Sequence, residues 1–266
     1  MSVSSGPRVG IFDTYAQLLF DGGKVVDCLK IVKTFLDASP NEMNNIILED
    51  RKPRINAQIT LGITPMAYVP PSLPVKQSHW PTLGAVIDSD KRLVVFLDAG
   101  ADTSSVSFIL PEFQMIWETP FSVTDASFPC SVDRINGPLA TADHTYMINH
   151  SLNKNIIPTG GGVIVSDPLG APTTNGVPSI MANVQKCLPL GADRNLQFIL
   201  LDFVNIGEGF EAAAMLNGLA MSVVDPNTTI DNQAPNGTTT NSAEKNSDRT
   251  KFDIPGTLDD CTGDRF

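Results

Sequence analysis

Arg92-Leu93-Val94-Val95-Phe96-Leu97-Asp98 decides the fold: an unbroken apolar run of strand length, bounded by a cation and a carboxylate. A strand covered on both faces reads this way, whereas a half-exposed strand alternates apolar with polar. Thr145-Tyr146-Met147-Ile148-Asn149-His150 and Asn195-Leu196-Gln197-Phe198-Ile199-Leu200-Leu201-Asp202 repeat the pattern, each closing on polar groups. Interleaved with helical periodicities, these runs predict an α/β fold with parallel strands, and pattern alone leaves barrel and open sheet both possible. In either arrangement the strand exits form the face on which α/β sites are built. Asp98, Asn149, His150 and Asp202 are the candidate site residues on that ground.

Outward from these runs, Asp21-Gly22-Gly23 reads as a turn into a helix over residues 24–38, where Val25, Leu29, Val32 and Leu36 recur at helical spacing. Ser39-Pro40 stops it, because the residue before proline is pushed out of the helical region. Residues 43–48 read as a short buried strand and residues 52–62 as a second helix. The prolines of Tyr68-Val69-Pro70-Pro71-Ser72-Leu73-Pro74 make a loop. A short helix is expected over residues 80–87 with Pro81 in its first turn. The aromatic stretch 108–117 reads as a packed helix, 163–165 as a weaker strand, and 178–187 and 209–219 as helices. From residue 226 the chain turns to Asn, Thr, Ser, Asp and Gly, a composition that cannot offset its ordering entropy by burial. The expected division is a domain over residues 1–225 and a disordered tail over 226–266.

Bulk properties exclude several classes. The 266 residues carry 18 basic against 29 acidic side chains, a net charge of -11, which argues against nucleic acid or an anionic lipid surface as partner. No run of about 18 apolar residues exists, so no transmembrane helix is expected. Nor does the sequence from Met1 to Arg8 carry an apolar leader core. Cys28, Cys130, Cys187 and Cys261 lack metal-ligand spacing, leaving buried thiols or bridge partners. No cofactor or metal is expected: Gly160-Gly161-Gly162 lacks a phosphate-loop context, and Asp98 with Asp102 lacks the further acids of a calcium loop. No serine nucleophile elbow occurs.

Of three histidines, His79 lies in the proline-rich loop and His144 precedes a strand, and both are expected at the surface. His150 is the candidate for acid/base work, set against a structural hydrogen-bonding role of at least equal weight. The sequons at Asn227 and Asn236 fall in the tail, and a third at Asn149 falls on a strand end where modification is not expected.

The segments Asp21-Gly22-Gly23-Lys24-Val25-Val26-Asp27, Leu36-Asp37-Ala38-Ser39-Pro40-Asn41-Glu42, Ala67-Tyr68-Val69-Pro70-Pro71-Ser72 and Trp117-Glu118-Thr119-Pro120 carry a resemblance. With Phe128-Pro129-Cys130-Ser131-Val132-Asp133-Arg134, Met147-Ile148-Asn149-His150 and Leu200-Leu201-Asp202-Phe203, they are similar in order and spacing to the fungal phospholipase C-like phosphodiesterases. That family is related to phosphatidylinositol-specific phospholipase C.

The resemblance implies an irregular TIM-type β/α barrel, a phosphoric diester hydrolase of lipid metabolism, and a secreted parent. It implies two histidines, one activating a hydroxyl for attack on phosphorus and the other protonating the leaving alcohol. This chain departs from the pattern at both. The strand expected to hold the first has no counterpart, and where the second is expected the residues are Phe12-Asp13-Thr14-Tyr15-Ala16-Gln17. The expectation is thus an N-terminally truncated, incomplete barrel lacking its first two strands, catalytically impaired, and open to dimerisation across the gap. A small phosphodiester or phosphoinositide-type ligand is the implied partner, and a non-catalytic binding or interaction module is the alternative. By the same resemblance, Cys130 and Cys187 are expected to pair as a disulfide.

Overall fold

The computed structural model describes residues 10–13, 25–48, 62–157 and 162–219, with side chains from Leu29 onward in these ranges. In chain order the elements are β1 (Gly10–Asp13), α1 (Val25–Ala38), β2 (Asn44–Leu48), α2 (Leu83–Asp88), β3 (Leu93–Leu97), β4 (Ile109–Pro111) and β5 (Ile116–Glu118). They continue as β6 (Thr145–Asn149), β7 (Asn153–Asn155), β8 (Ile164–Ser166), α3 (Ala171–Thr174), α4 (Val177–Cys187), β9 (Phe198–Leu201) and α5 (Gly209–Leu216). One parallel sheet has the order β1-β9-β6-β5 and a second the order β2-β3-β4, while β7 and β8 form an antiparallel hairpin. The chain is α/β with parallel sheets, as the three apolar runs predict.

Alternation along the strands divides the core into layers. Leu93, Val95 and Leu97 of β3 face Leu29, Val32 and Leu36 of α1. Tyr146 and Ile148 of β6, with Ile199 and Leu201 of β9, face Ile180 and Val184 of α4 and Ala212 of α5. The residues of opposite parity, Val94, Phe96, Leu110, Ile116, Met147, Phe198 and Leu200, meet in one inner cluster fed by both sheets. Aromatic contacts cross that cluster from Trp80 to Phe96 at 5.9 Å and from Phe96 to Phe198 at 6.5 Å. The strands β3, β6 and β9 are therefore covered on both faces, which is why their sequences do not alternate.

Arg92 ties the start of β3 to the end of α1. Its buried guanidinium donates from Nη1 to the carbonyl of Leu36, an acceptor that the helix terminus leaves without an intrahelical partner, and to those of Ser39 and Glu42 in the turn that follows. At the other flank Cys130 and Cys187 form the expected disulfide, joining the loop after β5 to the end of α4.

The structure corrects several expectations. Residues 108–117 are not a helix: Pro111 ends β4, a 3-10 turn spans Glu112–Gln114, and β5 begins at Ile116. The two short runs pair with different neighbours, β4 with β3 and β5 with β6, a tertiary choice that local spacing does not encode. The helix expected at residue 80 starts at Leu83, because the Thr82 side chain accepts from the Ala85 N–H and fixes the N-terminus there. The strand expected from Asn195 begins only at Phe198. An additional strand, β1, lies beside β9 and overlaps the segment in which the second family histidine was sought. His144, expected at the surface, is buried, with Nδ1 2.9 Å from the Ala140 carbonyl.

The Asp21-Gly22-Gly23 turn, nearly all of the helix expected over 52–62, Gly160 and Gly161, Cys261 and the tail with its two sequons lie outside the described residues. So does the side chain of Cys28.

Candidate functional site at the strand exits

Within each of the two sheets the strands run parallel, so the carboxyl ends of each sheet share one edge. Strand parity then sorts the candidate residues. Asn149 has the parity of inward-facing Met147, and Asp98 that of inward-facing Phe96, whereas His150 has the parity of outward-facing Ile148. The same rule adds Glu118, which follows inward-facing Ile116 and outward-facing Trp117.

Glu118 and Asn149 form the best-connected polar group at the exits. The Glu118 carboxylate, buried, accepts from Arg134 Nε at 2.9 Å, from Arg134 Nη2, and from Asn149 Nδ2 at 3.0 Å. Asn149 Nδ2 also donates to the Thr119 carbonyl at 2.7 Å, and the Asn149 N–H donates to Thr119 Oγ1 at 2.8 Å. Arg134 reaches this position because its segment returns antiparallel along β5: Glu118 N donates to Arg134 O, and Asp133 N donates to Glu118 O. Its guanidinium lies over the rings of Phe113 at 5.0 Å and Phe121 at 4.9 Å. Phe121 is 58% exposed, so this cation-aromatic stack opens to solvent on one side.

Asp202, one residue beyond β9, lines a crevice with Ser151, Leu152, Asp167, Thr174 and Asn175, with room for about one water molecule. Asn175 holds the chain there by donating from Nδ2 to the carbonyls of Asp202, Phe203 and Ile206. Across the crevice, Lys154 pairs with Asp167 at 2.8 Å, and the hydrogen bond from that ammonium holds the Asp167 carboxyl below the usual range. Asp98 is half-buried at the end of β3, its N–H donating to Leu48 O, and belongs to the other sheet from Asn149.

His150 is turned away from this face. Its Nδ1 accepts from Asn183 Nδ2 at 2.8 Å, and its Nε2 donates to the Thr174 carbonyl at 2.9 Å. The ring packs on Phe128 at 4.1 Å, with Phe128 itself held at φ +47°. Burial pushes its pKa down to about 4, so the imidazole is neutral at pH 7 and pins α3 and α4 to the end of β6. His79 is exposed in a segment tied to the opposite ends of the strands, where Ala67 bridges Leu93 and Lys76 pairs with Asp143 just ahead of β6. Sequence reading missed Glu118 and Arg134 as site residues because Glu118 directly follows the stretch read as helix, so the strand β5 that it ends was not legible and carried no period-2 parity. Among the described residues no cluster of three or more metal-ligating side chains occurs.

A family profile described as PI-PLC X 1 matches residues 9–217, which covers both sheets and every residue of the exit face just described. The chain belongs to the PI-PLC X family. It is 36% identical over 212 residues to PI-PLC X domain-containing protein 1 of Arthroderma benhamiae, covering 76% of this chain and 67% of that protein. To an uncharacterized secreted protein of the same organism it is 34% identical over 216 residues, spanning 76% of this chain and 48% of that one. No solved structure matches the chain. Within this PI-PLC X chain, Glu118, Arg134 and Asn149 supply charge and hydrogen bonding at the strand exits, while its imidazoles lie elsewhere. No helix among the described residues is long and apolar enough to cross a membrane.

Proposed function

We propose that this PI-PLC X chain is a TIM-type barrel that takes a small phosphodiester or phosphoinositide-type ligand at its strand exits without efficient hydrolysis. The observation that carries this reading is His150: the imidazole nearest the exits is buried, neutral, and committed through both nitrogens to Asn183 and Thr174. Phosphodiester cleavage in the related enzymes is expected to need two proton carriers, each contributing about 10²–10⁴ in rate. Asn149 and Asp202 together with Glu118 and Arg134 form the ligand-facing rim in this proposal, and Asp98 extends it onto the second sheet. The inner core shared by both sheets supports the barrel reading, since a closed or nearly closed sheet buries one common interior.

The test pairs turnover with binding. With a fluorogenic inositol phosphodiester the expected outcome is a rate no higher than buffer. Titration with inositol 1-phosphate is expected to give binding that weakens about tenfold in Arg134→Gln, the loss of one charge-assisted contact. Turnover that disappears in His150→Ala would defeat the proposal, because it would make His150 a proton carrier. The Glu118-Arg134-Asn149 network supports a rim that holds a polar ligand, and binding without turnover is the outcome expected of it.

A further inference from the structure

Four Asn-Gly pairs occur in the sequence, at 136–137, 175–176, 217–218 and 236–237, and the first three lie among the described residues. Their environments differ in the one respect that governs cyclisation of asparagine. Asn136 is exposed, and the N–H of Gly137 points back at the Asn136 side chain, 2.6 Å from Oδ1. The nitrogen is thereby one C=O bond away from the amide carbon Cγ. In the other two pairs the glycine N–H is spent on the backbone: Gly176 N donates to Thr173 O, and Gly218 N donates to Met215 O. Their side chains are also tied down. Asn175 is buried with Nδ2 on three carbonyls, and Asn217 Nδ2 donates to Ala213 O at 2.8 Å.

Gly137 is also hard to replace. Its φ is +84°, and a Cβ there would meet Gln114 Cγ at 3.1 Å, so backbone conformation and space both favour glycine. The loop thus retains the successor that hinders ring closure least.

We propose that Asn136 is a deamidation and isoaspartate site of the folded chain. Gly137 N attacks Asn136 Cγ, a C–N bond forms, the Cγ–Nδ2 bond breaks, and ammonia leaves carrying the amide proton. Water then opens the succinimide to aspartate or isoaspartate, with no change in oxidation state. The consequence is specific to the isoaspartate product. The main chain is rerouted through the side chain, and the former Asn136 carbonyl becomes a free carboxylate. That carbonyl lies 3.3 Å from His144 Nε2, and the Asn136 N–H donates to Phe113 O, so modification alters the anchor of the segment that carries Arg134 back along β5.

The experiment incubates the full chain in mildly alkaline buffer, native and urea-unfolded, and follows each Asn-Gly peptide by mass spectrometry that distinguishes isoaspartate from aspartate. The ratio of unfolded to native rate removes intrinsic sequence effects. Asn136 is expected to be the least protected of the three. Asn175 and Asn217 are expected to be slowed at least about tenfold by folding, since their hydrogen bonds must open first. Protection of Asn136 equal to or greater than that of Asn175 overturns the assignment.

Discussion

The three-stranded sheet and the four-stranded sheet are built from the same kind of buried parallel strand, yet they secure their ends differently. In the β2-β3-β4 sheet, α1 packs on aliphatic residues of β3, and Arg92 satisfies carbonyls in and after the last turn of α1 beside the strand entrances. In the β1-β9-β6-β5 sheet the exits carry the Glu118-Arg134-Asn149 network, the His150 clamp and the loop bridged to α4. The difference teaches that polar investment is concentrated where the chain needs defined loop geometry, and that the other sheet serves mainly as its scaffold. Buried polar networks fix one arrangement more narrowly than apolar contact does, because each misplaced member leaves an unsatisfied group.

The largest break in this comparison is expected from the disulfide. Replacing Cys130 and Cys187 by serine opens a loop with a sequence separation of 57 and is expected to cost about 4 kcal/mol of stability by the chain-entropy relation. Denaturant midpoints of the wild-type and double variant measure it. A variant as stable as wild type would show that the loop after β5 is held by its hydrogen bonds alone.

Next comes His150, whose effect has a defined pH window. Its pKa is about 4 folded against an ordinary 6.5, so between these values the unfolded chain binds more protons than the folded one. Stability contributed by the neutral imidazole is complete above pH 6.5, falls as pH drops toward 4, and amounts to about 3 kcal/mol. His150→Gln, which removes the titration, is expected to flatten this slope relative to wild type. Parallel pH dependences would place the imidazole in solvent rather than under α3 and α4.

The smallest of the three effects falls on the scaffold sheet. Arg92→Ala strips donors from one carbonyl in the last turn of α1 and two in the turn that follows, and is expected to cost about 2 kcal/mol. Thermal unfolding measures the loss, and phosphodiester binding at the exits should stay unchanged. A binding defect in this variant would merge the two sheets into one functional unit and remove the contrast.

The parallel α/β class, the helices α1, α4 and α5, and the polar groups at the strand exits were legible in residue order alone. Uniform apolarity of runs such as Leu93-Val94-Val95-Phe96-Leu97 reports two covered faces, and a run of that kind has few other stable settings. The pairing of Cys130 with Cys187 came from resemblance, since spacing alone leaves several pairings open. Residues 108–117 were misread because an apolar aromatic stretch suits either period, and the choice went to the neighbours available to β4 and β5.

What the sequence determined by itself is the buried strands β3, β6 and β9 and which residue types stand where they end. What only the tertiary structure decided is the direction and company of each of those residues. Asn149 and His150 are adjacent in the chain, yet one joins Glu118 on the inner face and the other is locked beneath Asn183 and Phe128. The physical reason is the two-residue period of a strand, which sends neighbours to opposite faces, while the partners waiting on each face come from segments distant in sequence.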